Sequence, residues 1–96
     1  MIFQFHPEAE AEFLAAVDWY EERSTGLGAD FAAEINAAIQ RALAMPLAWP
    51  AVDGEIRRVL ANRFPYGVLY APRDSTVYIL AVMHLRRHPE YWRDRA

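Results

Sequence analysis

The spacing of hydrophobic positions changes character along this chain. Ile2 to Phe5 is a short β-type run that stops at His6-Pro7, and Pro suits the first turn of a helix. From Pro7 to about Arg23, the residues Ala9, Phe13, Ala16, Val17 and Tyr20 recur at helical spacing and predict a first helix. Glu8, Glu10 and Glu12 stand near the positive end of its dipole, and Arg23 near the negative end. Ser24-Thr25-Gly26-Leu27-Gly28 breaks the pattern. A second stripe, Leu27, Phe31, Ile35, Ala38, Ile39, Ala42 and Leu43, predicts a helix to about Ala44, ended by Pro46. The short break makes the two an antiparallel helical hairpin, and the alanines in both stripes allow close approach.

After Pro50 the period becomes two. Ile56 to Asn62 reads as a strand with Ile56, Arg58 and Leu60 on one face and Arg57, Val59 and Ala61 on the other. Pro65 to Ala71 is a second such strand, with Tyr66, Val68 and Tyr70 opposite Gly67, Leu69 and Ala71. Pro72-Arg73-Asp74-Ser75 has turn chemistry. Thr76 to His84 is apolar on both faces, which predicts a central strand. The element order strand, helix, helix, strand, strand, strand points to one α+β domain over residues 1–96. A helical hairpin would pack on one face of a mostly antiparallel sheet, with the other face turned to solvent or a ligand.

Composition narrows the chemistry. The 96 residues are 54% hydrophobic and 24% charged, as expected of a single globular domain. Cys is absent, which removes disulfides, thiolate metal sites and Cys nucleophiles. All ten basic residues are Arg, so Schiff-base chemistry and a phosphate-binding Lys are excluded too. Ser24 and Ser75 are the only serines, both in turn-like stretches. The longest apolar run, Val77 to Met83, is far short of the roughly 20 residues a membrane helix needs. The amino terminus lacks signal-peptide character, so no membrane partner and a cytoplasmic location are expected.

The net charge of −3 conceals an asymmetry. Residues 1–55 carry ten acids against Arg23 and Arg41, a net of −8, whereas residues 56–96 carry eight Arg against Asp74, Glu90 and Asp94, a net of +5. One reading is mutual attraction between acidic helices and a basic sheet. The other is that guanidiniums of the carboxy-terminal strands and tail share one polyanion-receptive surface, braced from behind by the hairpin. Arg57, Arg58, Arg63, His84, Arg86, Arg87 and Tyr91 are the constellation in question. Arg can clamp phosphate and stabilise a phosphorane, His84 can carry a proton, and Tyr91 can stack on a base or transfer a proton. The same residues could equally be a solvated strand edge and a hydrogen-bonded strand end. Arg93 extends the basic tail. His84-x-x-x-His88 has helical metal-ligand spacing, but Pro89 follows and no third ligand is near, so no metal and no cofactor are expected. Gly26-x-Gly28 joins two helices and does not follow a strand, so it is not a nucleotide loop. Glu8/Glu12 and Glu21/Glu22 read as solvated helix faces. Trp49-Pro50 and Tyr91-Trp92 read as anchors of a loop and the tail on the core.

Several strings are familiar in combination: His6-Pro7-x-Ala9, Trp19-Tyr20-Glu21, Leu27-Gly28-x-x-Phe31, Pro46-x-x-Trp49-Pro50, Ile56-Arg57-Arg58, Phe64-Pro65-Tyr66-x-Val68-x-Tyr70 and Ala81-Val82-x-His84-x-x-Arg87-x-Pro89-x-Tyr91-Trp92. In this order the chain resembles toxins of the RelE/ParE superfamily, the plasmid-stabilisation proteins, over nearly its whole length. The resemblance implies a helical hairpin on a mostly antiparallel sheet. It also implies a type II toxin–antitoxin module, in which a cognate antitoxin wraps the toxin in a hetero-oligomer. RelE-like members are ribosome-dependent mRNA endonucleases, and ParE-like members poison DNA gyrase without being hydrolases. If the chain is RelE-like, the resemblance implies His84, Arg58, Arg87 and Tyr91 as catalytic. Arg57, Arg58, Arg63, Arg86, Arg87 and Arg93 would meet nucleic acid or antitoxin in either branch. Tyr66 and Tyr70 stand where a mid-strand Arg would be expected of an endonuclease, and the tail ending is closer to the ParE type. The expectation therefore leans to gyrase poisoning, with mRNA cleavage or inactive antitoxin binding as alternatives.

Overall fold

The computed structural model describes residues 1–88 and 90–95; Pro89 of the tail motif and Ala96 lie outside the described residues. Its elements are β1 (Ile2–Phe5), α1 (Pro7–Arg23), α2 (Leu27–Ala44), β2 (Ala51–Asp53), β3 (Ile56–Leu60), β4 (Tyr66–Arg73), β5 (Thr76–His84) and a 3-10 turn at Arg93–Arg95. One sheet runs in the order β1-β5-β4-β3-β2, with β1 parallel to β5 and the remaining pairs antiparallel. This is the α+β arrangement expected, with one addition. β2 is a three-residue edge strand joined to β3 through an irregular register, too short for any period to reveal. No helix is long and apolar enough to cross a membrane among the described residues.

Side chains fix the ends of the helices. His6 Nδ1 accepts the Glu8 backbone N–H at 3.1 Å and caps α1, with Pro7 following in the first turn. The residue before α2, Gly26, has φ 87 and no side chain to cap with. Glu21 of α1 takes over: its carboxylate accepts from the backbone N–H groups of Gly26 and Gly28 at 3.0 and 3.1 Å. Glu21 is thus the tie between the two helices, where the sequence suggested a solvated position. A Cβ at Gly28 would lie 2.6 Å from the Val17 carbonyl oxygen, so the crossing of α1 and α2 at this point requires glycine. Glu34 of α2 similarly accepts from the Asn62 and Arg63 backbone N–H groups and holds the β3–β4 loop.

The sheet has two covered faces. The hairpin buries Phe31, Ile35, Ala38, Ile39 and Ala42 against Val59, Val68, Tyr70, Val77, Ile79 and Val82. Tyr20, Phe31, Phe64 and Tyr66 meet ring to ring at one end, with Phe31 and Tyr66 centroids 4.8 Å apart. The opposite face was expected to be open. Instead the tail returns over it, and Trp92, only 2% exposed, closes a second cluster with Ile56, Leu69, Ala71, Leu80, Ala81 and Met83. Burying an aromatic of this size stabilises by about 2–3 kcal/mol and compensates for the small primary core. Trp49 anchors the α2–β2 loop, donating from Nε1 to the Arg41 carbonyl at 3.2 Å.

A bulge in β5 decides which face each of its later residues takes. Tyr70 pairs with Ile79 but Leu69 pairs with Ala81, so Leu80 is an extra residue. Leu80 and Ala81 consequently both join the second cluster, and Val82 returns to the hairpin side. Strict alternation from Val77 would have put His84 on the tail side; the bulge places it on the side of α1.

Candidate functional site

β5 is longer than its neighbour β1. The last rung between them is the His6 N–H donating to the Ile79 carbonyl at 2.8 Å, after which the chain turns away into α1. Among the described residues, the edge of β5 from Leu80 to His84 has no strand beside it. Between that edge and α1 lies a groove of about 680 Å³. Its floor is Ala11, Ala15, Ala16 and Val82, and its aromatic end is Trp19, Tyr20 and Tyr66. Trp19 is 51% exposed there, although it is among the most apolar groups on α1. His84 stands beside Tyr66, and the charged part carries Glu8, Glu12, Arg87 and Arg95.

Glu12 organises the charged end. Its Oε1 accepts from Arg95 Nη1 at 2.8 Å and from the Val82 backbone N–H at 3.1 Å, and its Oε2 accepts from Arg95 Nη2 at 3.0 Å. Arg87 approaches the same carboxylate at 3.6 Å, and Glu8 approaches Arg95 at 3.5 Å. Arg95 also donates to the Leu80 carbonyl at 3.1 Å. The Glu12 hydrogen bond holds the Arg95 pKa above the ordinary arginine value. Tyr91 lies between the two guanidiniums, with Arg87 3.8 Å and Arg95 4.9 Å from its ring centroid. Its hydroxyl is buried beside Glu12 without a well-formed hydrogen bond, and burial first and Glu12 second push its pKa far up. Burial likewise raises Tyr66, helped by Tyr20 and Glu12. The acids read from the sequence as a solvated helix face thus include the best-buried carboxylate of the site. Nothing in the sequence links Glu12 to Arg95, whereas the Glu8-x-x-x-Glu12 spacing was visible and pointed the right way round the helix.

The arginines do not share one surface. Arg58 lies on the tail side of the sheet, its stem across Gly67, where an added Cβ would sit 3.1 Å from Arg58 Cδ. Arg57 lies on the hairpin side and donates to the Trp49 carbonyl at 2.7 Å. Arg63 is at the β3–β4 loop, paired with Asp30 of α2 at 3.3 Å. Arg93 is held by Asp53 and by Glu90, and Arg73 by Glu55 at 2.8 Å. Ion pairing with acids of the amino-terminal half therefore accounts for much of the charge asymmetry. Among the described residues Arg58 and Arg86 form no ion pair. The structure brings His84 and Arg87 to the groove, packs Tyr91 beneath Arg87 and Arg95 against the second cluster, and leaves Arg57, Arg58, Arg63, Arg86 and Arg93 outside the lining.

His84 stacks edge-on against Tyr66, centroids 5.2 Å apart, and its Nδ1 accepts the Arg86 backbone N–H at 3.0 Å. A neutral His84 therefore carries its proton on Nε2 and can donate from there but not accept. His88 uses Nδ1 in the same way, accepting from the Glu90 N–H at 3.2 Å. Each ring thus turns its Nδ1 to local backbone, and no cluster of three His, Asp or Glu forms among the described residues. The groove presents aromatic and small apolar surface, an unpaired strand edge and a charged end. Such a surface has the features that can hold an extended polypeptide.

The comparisons agree with this architecture. The model of a family described as the ParE toxin of the type II toxin–antitoxin system parDE matches residues 3–89. No curated protein matches the chain. A solved chain of the chromosomal ParDE toxin–antitoxin system from P. aeruginosa has the same fold, with a TM-score of 0.74 at 15% identity, covering 90% of this chain and 97% of that one. With nearly its whole length matched by the family and its hairpin-on-sheet architecture shared, the chain belongs to the ParE toxin family of type II toxin–antitoxin systems.

Proposed function

We propose that the protein inhibits growth by acting on DNA gyrase, and that a cognate antitoxin neutralises it by occupying the groove along α1. The observation that carries the first part is the separation of Arg58 from His84 by the full thickness of the sheet. An RNA-cleaving centre needs a base, an acid and phosphorane-stabilising cations within reach of one phosphate. Here the neutral His84 ring has its acceptor nitrogen occupied, the Tyr91 hydroxyl is buried, and Arg87 and Arg95 face Glu12. A toxin that acts by binding needs none of these groups assembled. The presence of an apolar groove with an exposed Trp19 supports a polypeptide partner.

The test is controlled induction in a bacterium while DNA integrity and mRNA ends are followed together. Trapped gyrase–DNA complexes with intact mRNA are expected, and His84→Ala should remain toxic. Transcripts cut within codons, without DNA damage, would assign the protein to the endonuclease branch. Harmless accumulation with tight antitoxin binding would identify an inactive antitoxin-binding module.

A further inference from the structure

We propose that the loop between α2 and β2, residues 45–50, is a rigid apolar tip by which the toxin engages its target, and that it fits an uncharged, apolar hollow on a folded protein, the gyrase of the reading above. The inference rests on that reading and adds the part of the surface that meets the target.

The chain carries no charge between Arg41 and Asp53, although 24% of the whole sequence is charged. Within that stretch Met45 and Leu47 are 62% and 70% exposed, and Leu47 is the most exposed large apolar side chain among the described residues. Ala44 and Ala48 are exposed beside them, and these four residues line one open hollow with Pro46. Single exposed apolar side chains are ordinary, but a cluster of them in one loop marks a contact surface.

The loop is held from behind by its backbone. Tyr70, buried in β4, donates its hydroxyl to the Pro46 carbonyl at 2.7 Å. Arg57 of β3 donates to the Trp49 carbonyl at 2.7 Å, with its Nε buried and unpartnered among the described residues. The Arg41 carbonyl accepts both the Met45 N–H and the Trp49 indole N–H, each at 3.2 Å. The Met45 carbonyl accepts from the Ala48 N–H, and the Pro50 carbonyl from the Arg58 N–H, each at 3.1 Å. Pro46 and Pro50 restrict the backbone further. A mere connection needs neither a buried phenol nor a guanidinium on its carbonyls. Fixed in this way, Met45 and Leu47 are presented to a partner with little loop freedom left to lose on binding.

The chemistry of the tip selects the occupant. Residues 42–52 hold no cation to meet a phosphate, so nucleic acid is not matched. A charged protein surface would give up water there and find no partner. An apolar hollow gains from both side chains, and the unbranched Met adapts to its shape. The loop leads into β2, at the opposite end of the sheet order from β1, and shares no residue with the lining of the α1 groove. Target contact and antitoxin contact can therefore be tested on separate residues.

The experiment measures trapping of purified gyrase on DNA by the full-length toxin and by a variant carrying Met45→Ser and Leu47→Ser. Thermal unfolding and affinity for the antitoxin that neutralises the toxin on co-expression are followed alongside. The two serines should lower trapping about tenfold or more and leave unfolding and antitoxin affinity as in the parent. Leu47→Met keeps volume and apolarity and should trap as the parent does. Tyr70→Phe frees the Pro46 carbonyl, so amide exchange at residues 47–49 should quicken and trapping fall several-fold although Tyr70 lies beneath the surface. Trapping by the serine variant equal to the parent's would overturn this inference and leave the gyrase reading standing. An equal loss of antitoxin affinity would overturn it too, because the tip would then belong to the antitoxin. Self-association of the parent that the serines abolish would instead assign the tip to a second copy. Quicker exchange in Tyr70→Phe with undiminished trapping would remove rigidity from the account. A parent that traps no gyrase would bring down both readings together.

Discussion

Glu12 and Arg95, 83 positions apart, form a two-pronged ion pair with contacts of 2.8 and 3.0 Å that ties the last turn of the chain to the first helix. Their side chains are only 14% and 8% exposed, and each also satisfies a backbone group of β5. Removing one partner strands the other in a poorly hydrated place. Arg95→Ala should therefore cost about 3 kcal/mol, measured as a fall in the urea midpoint at neutral pH. A loss under about 0.5 kcal/mol would mean that the pair is a surface contact of little weight.

Tyr91 predicts the opposite behaviour for a neighbouring polar group. Its hydroxyl is buried with only a poorly formed contact to Glu12, so Tyr91→Phe removes a desolvation cost and gives up little in exchange. Stability should stay within about 0.5 kcal/mol of the parent or rise. Toxicity should persist if gyrase is the target. A large loss of toxicity in a stably folded Tyr91→Phe protein would argue for proton transfer by that hydroxyl.

Alkaline titration offers a further check. Burial raises the pKa of Tyr20, Tyr66, Tyr70 and Tyr91 in the folded chain. Unfolded tyrosines ionise near pH 10. Above that pH the unfolded state binds fewer protons than the folded one, so stability must fall as pH rises further. The urea midpoint should drop steadily beyond about pH 10, and Tyr91→Phe should make the drop shallower. An unchanged slope in that variant would show that Tyr91 ionises as freely when folded as when unfolded.

Gly28→Ala should be among the most damaging small changes in the hairpin. The new methyl would meet a backbone carbonyl 2.6 Å away, which cannot rotate out of the way as a side chain could. The helices would have to part, at a cost of about 1–3 kcal/mol. Gly26→Ala meets no neighbouring atom and is strained only through its left-handed φ of 87. Thermal unfolding of the two variants separates crowding from backbone strain.

Local pattern was enough for the hairpin, the three long strands and the two faces of β3 and β4, because periods of 3.6 and two are short-range properties written into consecutive residues. The stripe Phe31, Ile35, Ile39 and the alternation Tyr66, Val68, Tyr70 could be read without knowing what lay opposite. Three things could not. β2 is too short to have a period, the Leu80 bulge turns His84 to the side of α1, and, although Trp92 was legible as a tail anchor, the sheet face it covers was not. Most decisively, the partners of the arginines were set by the tertiary fold. Composition shows how many guanidiniums and carboxylates exist, but pairing falls off within a few ångströms, and only folding determines which of them come that close. The sequence by itself showed an acidic and a basic half and left open whether they would pair with each other. The fold decided the pairs, the best buried of them Glu12 with Arg95, beside a stretch of β5 that no strand covers among the described residues.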